Sequence, residues 1–148
     1  MVVGVGDEDH GDDGAGPLVV RMLEDAGVSG VIESGASPEV DTWKIRETRP
    51  DTVLFVDAVD FGGRPGDMAL LETGDLRKTG FDTHRAPLGL TMGYLERELE
   101  CRCFVLAIQP RDVRQGAPMC EEVSNAVELI GDMLRRLLPG AVPAGRMK

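Results

Sequence analysis

The chain has 148 residues, of which 42% are hydrophobic and 28% are charged. These proportions predict a globular domain with an apolar core and argue against a disordered chain. The formal net charge of -10, from 16 basic and 26 acidic residues, argues against nucleic acid or an anionic membrane as partner, because both select clusters of lysine and arginine. No apolar run approaches the ~20 residues of a membrane helix and no signal sequence is recognised, so a cytoplasmic protein is expected.

Apolar periodicity predicts an α/β fold in which strands and helices alternate along the chain. Strands are expected at 1–5, 28–33, 52–57, 67–71 and 102–108, and helices at 17–26, 37–48, 88–99 and 120–138. The run at 53–56 is continuously apolar, which is typical of a central strand buried on both faces. The loop before 67–71 is too short for a helical crossover, so this strand is expected to run antiparallel at a sheet edge.

The single domain is expected to span residues 1–138, and 139–148 are expected to form a loose tail. Trp43, Phe55 and Tyr94 are too scattered for a stacking platform and are expected in the core. The last helix carries apolar residues at helical spacing, which predicts one buried face: Val123, Val127, Ile130, Leu134 and Leu137.

Three cysteines, Cys101, Cys103 and Cys120, cannot all pair, and their odd number suggests reduced thiols. Cys101 and Cys103 alternate along the last strand and therefore face the same side. Core packing is the preferred interpretation, because free cysteine is usually buried. A thiolate metal site is the alternative, although the chain has no CxxC pair.

An acidic, glycine-rich turn at residues 11–18 joins the first strand to the first helix. Such a turn normally binds an anion through free backbone N–H groups and the helix dipole. Here the neighbouring aspartates and glutamates would repel phosphate, so a metal ion, or a substrate that carries one, is expected instead. A nucleotide-binding domain is a weak alternative, because Gly4-x-Gly6 lacks the third glycine at the required spacing.

Three residues that follow strands form the candidate site, because ligands of open α/β sheets gather at the carboxyl ends of strands. Asp13 follows the first strand, Asp57 ends the third, and His84 precedes the helix at 88–99. Two carboxylates and an imidazole suit Zn, Ni or Mn. Taken singly, Asp13 is equally consistent with a helix cap and Asp57 with a chain turn, whereas a lone His84 is better explained as a solvated side chain. His10 is placed outside the site, and Asp60 is either a second hydrogen-bonding group behind Asp57 or a turn residue.

An ordered set of short motifs extends along the chain to about residue 137. These motifs are Gly4-Val5-Gly6, Gly11-Asp12-Asp13-Gly14-Ala15-Gly16-Pro17, Ser37-Pro38-Glu39, Arg46-Glu47, Arg49-Pro50, Phe55-Val56-Asp57-Ala58-Val59-Asp60, Pro65-Gly66, Thr83-His84, Pro87-Leu88 and Ile108-Gln109-Pro110. The set closely resembles the [NiFe]-hydrogenase maturation endopeptidases, and most of all the hydrogenase 3-type subgroup.

The resemblance implies a three-layer α/β/α fold around a five-stranded, twisted, mostly parallel sheet. It also implies an aspartic-type endopeptidase that removes a C-terminal extension from the hydrogenase large-subunit precursor after nickel insertion. The family's metal-contacting positions fall on Asp13, Asp57 and His84. Nickel, or another divalent metal in its place, is then brought by the substrate, and the protease is expected to act as a monomer.

Two departures from the family pattern affect how the substrate tail is positioned. Asp7 stands where an asparagine is usual, and Glu33 replaces the aspartate that usually ends the second strand. The attacking water is activated either by the metal or by a carboxylate, and the sequence leaves both routes open. A non-catalytic nickel-binding assembly factor that uses the same three residues is the alternative function.

Overall fold

The computed structural model describes residues 1–77 and 86–139. Strands and helices alternate, and short 3-10 helices at Gly11–Gly14, Pro38–Asp41 and Asp75–Arg77 lie between them. The main elements are β1 (Val2–Gly4), α1 (Ala15–Asp25), β2 (Val31–Glu33), α2 (Thr42–Thr48), β3 (Thr52–Ala58), β4 (Met68–Glu72), α3 (Ala86–Leu99), β5 (Arg102–Ile108) and α4 (Glu121–Leu137).

The five strands form one sheet in the order β2-β1-β3-β5-β4. β1 pairs in parallel with both β2 and β3, and β3 pairs in parallel with β5. β4 pairs antiparallel with β5 at the end of the sheet. The predicted α/β class, the central position of 53–56 and the antiparallel edge strand are therefore confirmed.

The two faces of the sheet bury separate apolar clusters, because β3 and β5 alternate their side chains between the faces. On one face, Phe55 packs with Leu88, Met92 and Leu95 of α3. On the other face, Val56 packs with residues of α1 and α4. Helices on both faces give the three-layer arrangement, and they leave the carboxyl ends of β1 and β3 as the place where loops from both layers meet.

The end of α1 explains why β2 is shorter than predicted. Gly27 has a φ of 77°, and its N–H donates to the Glu24 carbonyl at 2.9 Å. The N–H of Val28 reaches back to the Leu23 carbonyl at 3.0 Å, and both apolar side chains belong to the same core cluster. This is the Schellman arrangement of a helix end. Val28 is therefore held in the helix terminus, and the strand starts only at Val31.

Gly16 brings the start of α1 directly onto the sheet. A Cβ at this position would overlap the backbone of Val5 and of Val56. α1 itself begins at Ala15 rather than at the predicted residue 17, after the 3-10 turn Gly11–Gly14. The close approach therefore seats the acidic turn on the carboxyl ends of β1 and β3.

Two of the predicted core positions are wrong. Trp43 is 52% exposed, whereas Ile45 is the α2 residue that is fully buried. Residues two positions apart in an α-helix lie on nearly opposite sides of it, so Trp43 faces away from the core when Ile45 faces toward it. Leu137 is 71% exposed as the last residue of α4, whereas Leu134 one turn earlier is buried. Phe55 is confirmed as a core residue, and Tyr94 packs half-buried against the same cluster.

The core-packing prediction is confirmed for Cys101, which directly precedes β5, and for Cys103 within β5. Cys101 and Cys103 are both buried, and their sulfurs lie 3.9 Å apart within the apolar cluster beneath α3. The loose tail predicted at 139–148 lies, beyond Pro139, outside the described residues. None of the described helices has the length and apolar character needed to cross a membrane.

Candidate active site

Asp13 lies in the 3-10 turn Gly11–Gly14 and is 7% exposed. Its Oδ2 accepts the backbone N–H of Asp7 at 3.0 Å, across the loop that leaves β1. No side-chain capping bond is formed at the start of the turn or of α1. The Asp13 carboxylate is thus directed to the loop after β1. Its bond to the Asp7 N–H is not a helix-capping bond, which was the alternative considered for this residue.

Asp57 is the second to last residue of β3 and is 1% exposed. Strand alternation places it on the same sheet face as Phe55, which is the face covered by α3. The Asp57 carboxylate therefore lies on the sheet face that α3 covers. His84, the third predicted site residue, precedes α3 in the sequence.

The structure brings Asp13 and Asp57 to the same end of the sheet. The ladder between β1 and β3 continues past Gly4, where the N–H of Val5 donates to the Val56 carbonyl at 2.9 Å. The turn that carries Asp13 contacts β3 directly. His84 lies outside the described residues. Within residues 1–77 and 86–139, no set of three or more His, Cys, Asp or Glu side chains is arranged to hold a metal ion.

An acidic cleft adjoins this end of the sheet on the β2 side. It is lined by Asp7, Glu8, Asp9 and Glu33, together with small residues. Oδ2 of Asp7 also lies 3.0 Å from Nδ1 of His10, whose side chain is partly exposed. The concentration of carboxylates gives the cleft a negative potential, which favours cationic groups.

Asp12 is a residue whose part the sequence did not reveal. It is fully buried, and Oδ2 accepts the N–H groups of Arg111 and Asp112 at 2.7 and 3.0 Å. Oδ1 accepts the N–H of Cys120 at 2.8 Å. The only sequence signal was a second aspartate in the same turn, because its partners lie about a hundred residues later in the chain.

The Cys120 thiol completes the surroundings of Asp12. Its sulfur lies 3.4 Å from Oδ2 of Asp12. Burial raises the pKa of the Cys120 thiol, and the neighbouring Asp12 carboxylate raises it further, while a backbone hydrogen bond opposes them. The thiol therefore stays protonated near neutral pH and donates to the carboxylate.

Gln109 organises the loop after β3 in a similar way. Its Oε1 accepts the N–H groups of Phe61 and Gly63 at 2.9 and 3.0 Å, and its Nε2 donates to Asp60 Oδ1 at 3.0 Å. Asp60 Oδ1 also accepts the N–H of Gly62 at 3.0 Å. These bonds of Asp60 match the turn role considered for it, and the Ile-Gln-Pro motif gains a physical explanation.

Comparison with known proteins gives a consistent assignment. Residues 18–136, well over half of the chain, match the family described as hydrogenase maturation protease, HycI. The chain is 37% identical over 129 residues to the hydrogenase 3 maturation protease of Escherichia coli K12, covering 85% of this chain and 82% of that protein.

Solved structures agree with the sequence match. The solution structure of the endopeptidase HycI from Escherichia coli superimposes with a TM-score of 0.82 at 33% identity, covering 92% of this chain and 88% of that one. The crystal structure of a [NiFe] hydrogenase maturation protease HycI from Thermococcus kodakarensis gives a TM-score of 0.83 at 26% identity, with 92% and 89% covered. The chain belongs to the hydrogenase maturation protease family.

Proposed function

We propose that the protein is an endopeptidase that removes a C-terminal propeptide from the nickel-loaded precursor of a [NiFe]-hydrogenase large subunit. The observation that carries the proposal is the pair of buried carboxylates, Asp13 and Asp57, at the carboxyl ends of adjacent strands in a chain of this family. His84 would be the third residue of the site. The protein is expected to act as a cytoplasmic monomer on this precursor.

Burial of two carboxylates at one end of a sheet supports a role in cation recognition. A nearby cation stabilises a poorly solvated carboxylate much more than it stabilises the same carboxylate in water. Two carboxylate oxygens and an imidazole are also a suitable donor set for a borderline divalent metal such as nickel. The nickel belongs to the substrate in this proposal, and the residues recognise it there.

Recognition of the metal would place the adjacent peptide bond at the site. A nickel-bound precursor supplies Lewis-acid polarisation or a more acidic water. Asp13 or Asp57 acts as the general base for the attacking water when it is not fully committed to the metal. The acidic cleft beside Asp7 adds a negative field that favours a metal-bearing or cationic region of the partner.

Intact-mass measurement of a candidate precursor tests this function. The nickel-loaded precursor is incubated with the protein, and the nickel-free precursor serves as the matched control. We expect a mass loss at the precursor's C-terminus in the nickel-loaded sample only. Stoichiometric binding without a mass change would overturn the protease proposal in favour of a non-catalytic assembly factor, and equal trimming of both forms would overturn the role of nickel.

A further inference from the structure

A buried carboxylate next to the candidate site has no part in the proposed reaction. Asp12 is 0% exposed, directly precedes Asp13, and accepts three backbone N–H groups from the loop at 109–120 that joins β5 to α4. We propose that Asp12 is a positioning residue, which fixes the Gly11–Gly14 turn to this loop and thereby sets the direction of the Asp13 carboxylate. The inference rests on the proposed function in giving Asp13 its part in the reaction.

The contact between the turn and the loop is made from both sides. The N–H of Asp12 donates to the Asp112 carbonyl at 2.9 Å, in return for the bond that the Asp112 N–H makes to the Asp12 carboxylate. Gly116 donates its N–H to the Asp9 carbonyl at 2.7 Å. Gly11, with a φ of 58°, passes so close to the Asp112 carbonyl that a side chain would collide with it. These contacts therefore fix the position of the turn against the loop.

The position of the Gly11–Gly14 turn determines where Asp13 points. Successive residues of a 3-10 helix project about 120° apart, since the helix has three residues per turn. With Asp12 held toward the loop at 109–120, Asp13 is directed toward the loop that follows β1, where the Asp7 N–H donates to its Oδ2 at 3.0 Å. The carbonyl of Asp13 also lies against Gly6, where any Cβ would overlap it. A rotation of the turn would therefore move Asp13 away from Asp7.

The chemistry of the contact requires a carboxylate. An ionised aspartate accepts hydrogen bonds at both oxygens and carries no proton of its own, whereas an asparagine offers one acceptor oxygen and an NH2 group. In Asp12→Asn the NH2 would face either the Cys120 N–H or the N–H pair of Arg111 and Asp112. Buried donors without acceptors are costly, so the turn and the loop would separate.

The Asp7 amide reports the direction of Asp13 without any use of activity. In Asp12→Asn we expect this amide to shift in the NMR spectrum and to exchange with solvent ~10-fold faster or more. The matched control is Asp132→Asn, because the Asp132 side chain pairs with Arg135 and Arg136 on α4 and takes no part in the contact between the turn and the loop. The control should leave the Asp7 amide unchanged. A folded Asp12→Asn protein with an unchanged Asp7 amide would overturn the proposal.

The unmodified protein provides a second test, which does not depend on the variant folding. In native-state hydrogen exchange, the amides of Asp7, Arg111, Asp112 and Cys120 should open together, with the same free energy and the same denaturant dependence. Independent opening of Asp7 would overturn the proposal. Both exchange results stand whether or not the wild-type protein trims a precursor, so failure of the proposed function is distinguished from failure of this inference.

Where trimming is observed, the kinetic effect separates positioning from general loss of structure. We expect Asp12→Asn to lower kcat by at least ~10-fold with KM within about twofold, because a misdirected reacting group slows the chemical step more than it weakens binding. Unchanged kcat in a folded variant, or a loss confined to KM, would contradict the role of Asp12.

Discussion

Oδ1 of Asp12 and the backbone N–H of Cys120 meet at 2.8 Å although 108 residues separate them in the chain. Cys120 is the N-cap residue directly before α4, so one hydrogen bond ties the first loop of the sheet to the start of the last helix. The candidate site is thus supported by a loop that contributes no predicted site residue.

The first prediction concerns the reactivity of the Cys120 thiol. Its pKa is raised by burial and by Asp12, so less thiolate is present at any given pH and the midpoint of alkylation should lie above that of an ordinary cysteine. Asp12→Asn should move this midpoint down, because the negative neighbour is gone. Site-resolved iodoacetamide labelling across pH 7 to 11 measures both midpoints, and a wild-type midpoint at or below the ordinary range would be contrary to this account.

The second prediction concerns the close approach at Gly16. Gly16→Ala places a methyl group against the backbone of Val5 and Val56, which cannot move without disturbing the β1–β3 ladder. We expect the free energy of unfolding to fall by about 3 kcal/mol or more. Gly74→Ala is the control, since a Cβ at Gly74 meets nothing within 4 Å. Denaturant titration measures both, and equal stability of the two variants would show that the approach is less rigid than described.

The third prediction concerns the α1 side of the core. Leu23 is fully buried and also packs at the helix end with Val28, so Leu23→Ala should cost about 3 kcal/mol of unfolding free energy. Leu129 is 58% exposed on α4, and Leu129→Ala should cost less than about 0.5 kcal/mol. Both values come from denaturant titration, and a loss at Leu129 as large as that at Leu23 would mean that the exposed flank of α4 is covered in solution.

The sequence was a good guide to the fold, because apolar periodicity is a local property. The continuous run at 53–56 identified the central strand, and the short loop before β4 identified an antiparallel edge strand. Boundaries were less accurate where a turn competes with a strand, as at Val28, which binds back into the end of α1. Trp43 was misplaced because hydrophobicity alone does not say which side of a short helix meets the core.

For the candidate site, the sequence was informative only about where Asp13 and Asp57 lie in the fold. Asp13 and Asp57 follow from the rule that ligands gather at the carboxyl ends of parallel strands. The parts of Asp12 and Gln109 depend on contacts with backbone groups far away in the sequence, and no local pattern reports such contacts. From the sequence alone, a buried aspartate that binds a distant loop cannot be distinguished from one that faces a substrate.

The part of Asp13 in the reaction is tested by the rate at which Asp13→Asn trims a nickel-loaded precursor, followed by intact mass. We expect a rate at least ~100-fold below wild type in a variant that folds normally. Asp132→Asn, which removes a carboxylate paired with Arg135 and Arg136 on the surface of α4, should trim at the wild-type rate. Undiminished trimming by Asp13→Asn would contradict the role assigned to this carboxylate.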